Sequence, residues 1–450
     1  MAKQGGTQRE SQPRKDKEWV LRYVKDHKIE FINLWFTDVL GRVKCFEITP
    51  HELEGCLDSG NGFDGSSVVG YQEIHESDLM AFPDPDSFTV FPWRPNVGRM
   101  ICDIRTPDGL QYEGDPRYAL KRLIEQCNKM GYEYYVGPEL EYFYFKDKNS
   151  PDFLDAGNYY AQTPEDLNIE LRRKTVQALQ EMGIEVEYSH HEVSPSQHEI
   201  DLKYGKALSM ADNTITYRLV VKQIAQLNGC YASFMPKPIF GINGSGMHTH
   251  QSLFSGDKNI FFDPDDPFYL SQIAKQYIAG LLKHSSEIIL ASNSWVNSYK
   301  RLVPGYEAPV YKVWARRNRS TMIRIPQMRK GTEKATRLEF RAPDPACNPY
   351  LAFAAMLAAG LAGIKGKYKL PEPVEENIFA MSAAEREKKG IVSLPGSLRE
   401  AIDEAKKGTI LREALGEHIF HNLIENKEME WDKYRIQVTK FEMDEYFPIL

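Results

Sequence analysis

Within Gly137–Phe145, GPELEYFYF, two glutamates stand two positions apart in a run that is otherwise apolar or aromatic. Side chains alternate along a strand, so Glu139 and Glu141 share a face with Phe143 and Phe145, while Leu140, Tyr142 and Tyr144 take the other. Alone, the pattern also fits a half-exposed strand with solvated glutamates. If the strand is buried, an unpartnered carboxylate costs several kcal/mol or neutralises itself through a raised pKa, and something cationic is expected between the pair. Further acids recur in matching surroundings. Glu192 and Glu199 bracket VSPSQH, and Glu339 alternates with Leu338 and Phe340 in RLEFRAPDP. His248 alone would be an ordinary hydrogen-bonded core histidine, but beside five such acids it completes a set of six oxygen or imidazole donors. Hard divalent cations such as magnesium or manganese take mostly carboxylate oxygens and tolerate one imidazole, whereas zinc would ask for more histidine or cysteine.

A second signal is basic. The stretch Asn297–Arg341 carries Arg301, Arg316, Arg317, Arg319, Arg324, Arg329, Arg337 and Arg341 in a chain whose net charge is -7. Guanidinium forks match phosphate and carboxylate bidentately. Several of these arginines alternate with Ile323, Ile325, Leu338 and Phe340, which argues for strands with one polar, cavity-facing side rather than a solvated basic surface. No Walker loop ending in GK[ST] and no protein-kinase signature is present, so phosphate chemistry here is not that of a P-loop enzyme or a protein kinase.

These donors are far apart along 450 residues, enough chain for two or three domains and a large core. Hydrophobic content of 42% with 26% charged residues is ordinary for a globular protein, and the acidic balance gives no footprint for nucleic acid or an anionic membrane. The six cysteines contain no CxxC pair, so neither a zinc cluster nor a disulfide framework is signalled, and a reducing cytoplasm fits. No apolar run approaches the roughly 20 residues of a membrane span. Residues 1–17 read as a flexible tail.

The elements that must position the donors follow from periodicity and punctuation. A short helix is expected over Glu18–Lys25, then strands Phe31–Phe36 and Val43–Ile48 joined by a turn at Asp38–Gly41. Gly60–Gly70, GNGFDGSSVVG, is too glycine-rich for a regular element; an ordered loop of this kind usually carries function, although Asp64 at its centre, taken alone, reads first as a plain turn residue. A hinge falls at Thr106–Pro116, where Asp115-Pro116 opens a helix that Gly131 closes. Beyond it the spacing predicts the strand at Glu139, a helix over Glu165–Met182, a strand Ile184–Tyr188, a loop Ser189–Glu199, a long helix Met210–Leu227, a glycine-rich turn leading into a strand that ends near Ser252, and core helices Tyr269–Ser292 and Pro349–Lys365.

Six segments, in this order, carry a family resemblance: FDGSS at Phe63–Ser67, GPELEYF at Gly137–Phe143, KPIFGINGSGMHTHQS ending at Ser252, RLVPGYEAP at Arg301–Pro309, NRS with IRIP at Asn318–Pro326, and RLEFRAPDPACNPYLAF at Arg337–Phe353. Together they resemble type I glutamine synthetases over about residues 18–450. The resemblance implies an α+β fold: a small N-terminal β-grasp domain over 18–110 and a larger catalytic domain over 111–450, with a curved antiparallel sheet surrounded by helices and lining a funnel. It implies ATP-dependent ligation of ammonium to L-glutamate through γ-glutamyl phosphate, in nitrogen assimilation, with ATP as co-substrate and two or more Mg2+ or Mn2+ ions per site. Glu141, Glu192 and Glu199 would hold one ion, and Glu139, His248 and Glu339 the other. Ser252, Arg324 and Arg337 would bind ATP; Arg301, Arg319, Arg341 and the Asn243-Gly244 backbone would hold glutamate; Arg324 and Arg341 would also serve catalysis. Asp64 would take the proton of ammonium, and Glu307 would sit on a flap. A cytoplasmic dodecamer of two stacked hexameric rings, with each site between subunits, and small regulatory protein partners are implied too. Neither nucleic acid nor membrane is an implied partner.

Two rivals share the scaffold. A ligase joining glutamate to a polyamine or other amine would lose the ammonium acid or alter the flap, yet Asp64 and Glu307 are present. A non-catalytic structural member would lack ligands, and none of the six is missing. Departures from relatives bear on regulation. Asn377-Ile378-Phe379 stands where adenylylated members carry a tyrosine, so that control is not expected. Glu73 stands where some feedback-inhibited relatives place arginine. Arg172-Arg173 could bind an acidic effector such as 2-oxoglutarate, although a solvated helix face is the plainer account.

Overall fold

The computed structural model describes residues 15–71, 78–318, 320–327 and 331–450. Glu73, Arg319 and Arg329, singled out above, lie outside the described residues. The first helix, Lys17–Asp26, starts inside the stretch expected as a tail, because the Asp16 side chain accepts from the Trp19 backbone N–H and caps it.

Strands β1 (Phe31–Thr37), β2 (Val43–Ile48), β3 (Asn61–Asp64), β4 (Asp78–Pro83), β5 (Thr89–Phe91) and β6 (Arg94–Arg105) form one sheet, in the order β2-β1-β6-β4-β3 with β5 on β6. β1 runs parallel to β6 and the remaining pairs are antiparallel. The glycine-rich loop expectation is corrected here: Asn61–Asp64 is a strand, because it pairs antiparallel with Asp78–Ala81 of β4 and so satisfies its backbone. Asp64 is therefore the last residue of a strand and the first of the turn beyond it.

The second sheet holds β7 (Glu133–Phe145), β8 (Val186–His191), β9 (Gln197–Leu202), β10 (Gly205–Lys206), β11 (Tyr231–Ser233), β12 (Met247–Ser255), β13 (Lys258–Asn259), β14 (Tyr311–Ala315), β15 (Thr321–Arg324) and β16 (Leu338–Phe340). Its main path is β14-β15-β16-β12-β7-β9-β8. All pairs are antiparallel except β14 with β15, which run parallel. Ser189–Glu199, expected as a loop, is the hairpin joining β8 to β9, so Glu199 lies on a strand paired with Glu141. The helix expected over Glu165–Met182 begins at Ile169, since residues 165–168 are spent in turns in which the Asp166 carboxylate accepts from the Asn168 N–H.

Behind this sheet the helices Gln272–Ser292 and Pro349–Lys365 pack along each other at backbone distance. A Cβ on Gly280 would stand 2.2 Å from the Ala359 carbonyl oxygen, and one on Gly363 would stand 2.1 Å from that of Gln276, so only glycine permits the approach. The two sheets are joined by buried polar contacts. Arg117 donates to Asp84 and Asp103 of the first unit and to Asp212 of the helix Ala207–Leu227. Asn348, which caps the helix Pro349–Lys365, also donates to the Asp38 and Val39 carbonyls in the β1–β2 turn. Among the described residues no helix is long and apolar enough to cross a membrane.

Candidate active site

Register carries the separated donors to one face. His248 on β12 stands opposite Glu139 on β7, Glu141 opposite Glu199 on β9, Glu199 opposite His190 on β8, and Arg324 on β15 opposite Glu339 on β16. All six predicted ligands line one cavity with Arg301, Arg324, Arg341, Asn243, Gly244 and Glu307. An adjoining cavity is lined by Glu139, Tyr188, Asp201, His250, Ser252 and Arg337, and the two share Glu139 and Tyr188. Asp64 lines neither cavity; its carboxylate accepts from the Ser66 N–H at 2.8 Å and hydroxyl at 2.6 Å, which hold its pKa below the usual range.

Ligand atoms of Glu139, His248 and Glu339 lie within 4.8 Å of one another, as do those of His190, Glu192 and Glu199. Two donors bound at about 2.1 Å to one octahedral ion stand about 3.0 Å apart when adjacent and about 4.2 Å apart when opposite, a range that includes the 3.7 Å from His248 Nδ1 to Glu139 and the 3.6 Å to Glu339. Glu141 belongs to neither trio. Its carboxylate lies 4.0 Å from His248 Nε2 and accepts from the Gln197 side chain at 2.9 Å and the Gly246 N–H at 3.0 Å.

The two halves differ electrostatically. Burial would raise the Glu339 carboxyl, but Arg341, His250 and His248 pull it down to about 2. Arg341 donates to it at 2.6 Å and Arg324 bonds its other oxygen. Glu139 likewise overcomes burial through His250 and His248 and stays well below its ordinary value. In the other half burial, then the charge of Glu192, pushes Glu141 up to about 8, and burial with Asp201 and Glu139 raises Glu199 well above the carboxylate range. Burial and Arg341 lower His248 to about 4, leaving a neutral imidazole, the form that binds metal.

The arginines are already engaged. Arg301 donates to the backbone carbonyls of Arg341, Ala342 and Pro343, so it holds the Arg341 segment while facing the cavity. Arg341 Nε is buried without a hydrogen-bond partner among the described residues. Gly244 is required by space, since a Cβ there would lie 2.2 Å from the Pro236 carbonyl oxygen.

Three residues escaped the sequence reading. His250 donates through Nε2 to Glu139 at 2.7 Å and accepts from Arg337 at 3.1 Å through Nδ1. Its signal was present, because His248 and His250 share a strand face. His190, 3.5 Å from both Glu192 and Glu199, was hidden by the loop expectation. Asp201 follows Glu199 at strand period, and burial with the charge of Glu139 raises its carboxyl to about 7.

A third trio, Asp155, His191 and His198, is fully buried and compact enough for an ion. Its hydrogen bonding excludes one. Arginine only donates, so His198 Nδ1, 2.8 Å from Arg172, must accept, which places the proton on Nε2 and removes the lone pair a metal needs. His191 faces the Glu192 carbonyl at 2.7 Å and Asp155 at 3.0 Å; burial lowers its pKa but these acceptors raise it further, so it pairs with Asp155 as a cation. Arg172 is buried and salt-bridged to Asp166 at 2.8 Å, and Arg173 pairs with Glu170, so Arg172 is not an open anion site in this chain.

The comparisons with known proteins agree along the whole chain. Residues 28–107 match the family model Glutamine synthetase, beta-Grasp domain, and residues 113–446 match Glutamine synthetase, catalytic domain. The glutamine synthetase of Methanosarcina mazei is 52% identical over 441 residues, covering 96% of this chain and 98% of its own. That of Thermotoga maritima is 49% identical over 436 residues, covering 95% and 99%. Among solved structures, Plasmodium falciparum glutamine synthetase superposes with TM-score 0.85 at 27% identity over 96% of this chain and 98% of its own. A GmaS/ADP complex superposes with TM-score 0.87 at 29% identity over 95% and 99%. Matched by both family models and sharing about half its residues with relatives of the same length, the chain belongs to the glutamine synthetase family.

Proposed function

We propose that this chain joins ammonium to the side-chain carboxylate of L-glutamate, consuming ATP and giving L-glutamine, ADP and phosphate through γ-glutamyl phosphate. It is a glutamate–ammonia ligase. The observation that carries the reading is the convergence of six donors and three arginines on one cavity. Family membership supports use of ATP and a divalent metal; we assign one cation to Glu139, His248 and Glu339 and a second to Glu192 and Glu199, with Glu141 or His190 completing that set.

The donor sets fit such ions. His248 is neutral, and among the described residues the two buried carboxyls with raised pKa, Glu141 and Glu199, form no salt bridge with arginine or lysine. When bound, the cations would neutralise phosphate oxygens and favour in-line phosphoryl transfer. The chain's own residues do the rest. Arg337 and Ser252 line the adjoining cavity and are assigned to the nucleotide, and Arg324, which lines the acidic cavity, to the transferred group. The unpartnered Nε of Arg341, together with Arg301 and the Asn243-Gly244 backbone, is assigned to glutamate; Arg319 keeps its expected place in this set. Ammonium becomes a nucleophile only after losing a proton, the role assigned to Asp64. Because Asp64 lines neither cavity of its own chain, that role calls for a neighbouring copy. We therefore retain the dodecamer of two hexameric rings, with Asp64 serving the adjacent subunit, together with the domain division at residue 110 and a cytoplasmic location. Glu307 would close the site against loss of the acyl phosphate to water.

The test is phosphate release with magnesium, ATP and glutamate, with and without ammonium, repeated with putrescine. Glutamate-dependent release that ammonium, but not putrescine, converts into amide product is expected. Conversion of putrescine instead would identify the amine ligase.

A further inference from the structure

The Asn243-Gly244 loop assigned to glutamate and the flap carrying Glu307 meet at one side chain that no role above uses. Lys237 is buried, and its backbone is clamped at both ends by one asparagine: its N–H donates to Asn297 Oδ1 at 2.7 Å, and Asn297 Nδ2 donates to its carbonyl at 3.0 Å. Asn297 immediately precedes the short helix Ser298–Arg301, which ends in Arg301. The Lys237 stem underlies Gly244, where an added Cβ would come within 3.3 Å of its Cδ. Its ammonium bonds the carbonyl of Ile242, the residue before Asn243. The same ammonium lies 3.6 Å from the centroid of the Tyr306 ring. Tyr306 precedes Glu307, whose φ of 58° is an unfavourable left-handed conformation for a residue with a Cβ.

We infer that Lys237 is a positioning residue that latches the Tyr306-Glu307 flap to the Asn243-Gly244 loop, so that the glutamate-holding loop and the flap are set by one shared cation. The inference rests on the functional reading above. A cation over an aromatic face is a contact of moderate strength when desolvated, enough to bias a flap yet weak enough to release it. On this reading the contact helps hold Glu307 in a backbone conformation that its side chain disfavours, and the strain is released when the contact is lost. Burial and the neighbouring Arg301 charge lower the Lys237 pKa, consistent with an ammonium that is short of acceptors and held by the ring.

The chemical consequence is coupling. With the flap unlatched, water reaches γ-glutamyl phosphate: its oxygen attacks the acyl carbon, the bond from that carbon to the phosphate oxygen breaks, the water's protons pass to the departing phosphate and to solvent, and glutamate and phosphate leave, so ATP is consumed without amide. The experiment compares phosphate released with glutamine formed at saturating ammonium in Lys237→Met, Lys237→Arg, Tyr306→Leu, Tyr306→Phe and the Lys237→Met/Tyr306→Leu double variant. Lys237→Met and Tyr306→Leu should each raise the ratio about threefold to tenfold, the range set by losing one such contact. KM for ATP should be unchanged, Lys237→Arg and Tyr306→Phe should stay near the wild-type ratio, and the double variant should be no worse than the worse single. Tyr306 is only half-buried, so its variants test the latch even if Lys237→Met fails to fold. A wild-type ratio in Tyr306→Leu, or effects that multiply in the double variant, would overturn the latch alone. Absence of any glutamate-dependent phosphate release by the wild-type protein would overturn the functional reading and the latch with it.

Discussion

The two halves of the acidic cavity solve one physical problem in opposite ways. Around Glu339 and Glu139 the protein supplies its own cations, Arg324 and Arg341, with His250 donating from behind. Around Glu141, Glu192 and Glu199 no arginine or lysine forms a salt bridge among the described residues, and two of the three carboxyls hold protons far above their ordinary range. A half that carries its countercharge can exist without an ion. In the other half the raised carboxyls of Glu141 and Glu199 favour their protonated forms, and an arriving ion would displace those protons.

The sharpest way to break this contrast is to neutralise one acid in each half. Glu339→Gln should cost activity about a thousandfold or more, because it removes a proposed ligand and frees two arginines inside the site. It should also destabilise the metal-free protein by about 3–5 kcal/mol, the cost of breaking a buried ion pair on one side, read by chemical denaturation. Glu141→Gln should also lose activity, yet leave the metal-free protein at least as stable as wild type. Both hydrogen bonds to Glu141 fall on one oxygen, which the amide oxygen reproduces. If both variants destabilise alike, the two halves do not differ as described.

The ammonium assignment separates this cavity from the Asp64 turn, and the expected effect is smaller. Asp64→Ala should reduce glutamine formation about a hundredfold, the scale of one general base, while glutamate-dependent ATP turnover with hydroxylamine survives better. Loss of nucleotide binding in that variant would contradict the assignment.

The smallest effect is on pH dependence. Glu141 binds its proton more tightly folded than unfolded, so its contribution to stability is full below its ordinary pKa and declines as pH rises through about 8. The metal-free protein should therefore lose melting temperature between about pH 6 and pH 8 through this group. Saturating manganese should remove the decline, making the metal-induced shift grow with pH by a few degrees. Glu141→Gln should flatten the metal-free curve. A metal-induced shift independent of pH would mean the acids are already ionised.

The helices were the easily read part of the fold. Asn348-Pro349 announces the helix that runs to Lys365, and Asp115-Pro116 the one at the hinge, because capping chemistry is local. The hairpin at Ser189–Glu199 and the strand Asn61–Asp64 were missed because pairing partners, not residue types, made them strands. Spacing alone singled out Glu139 and Glu141, yet could not show that His190 rather than Glu141 completes the compact trio with Glu192 and Glu199. Nor could it show that Arg172 is spent on Asp166 and His198.

By itself the sequence determined which chemistry was on offer: carboxylates, an imidazole among them and guanidinium forks, at strand period within apolar runs and in the order of a known family. Tertiary structure alone decided which acids received an arginine and which were left to await a metal. Strand alternation is set by neighbours along the chain, whereas protonation depends on charges brought within a few ångströms from other strands, and that distance exists only once the sheet has formed.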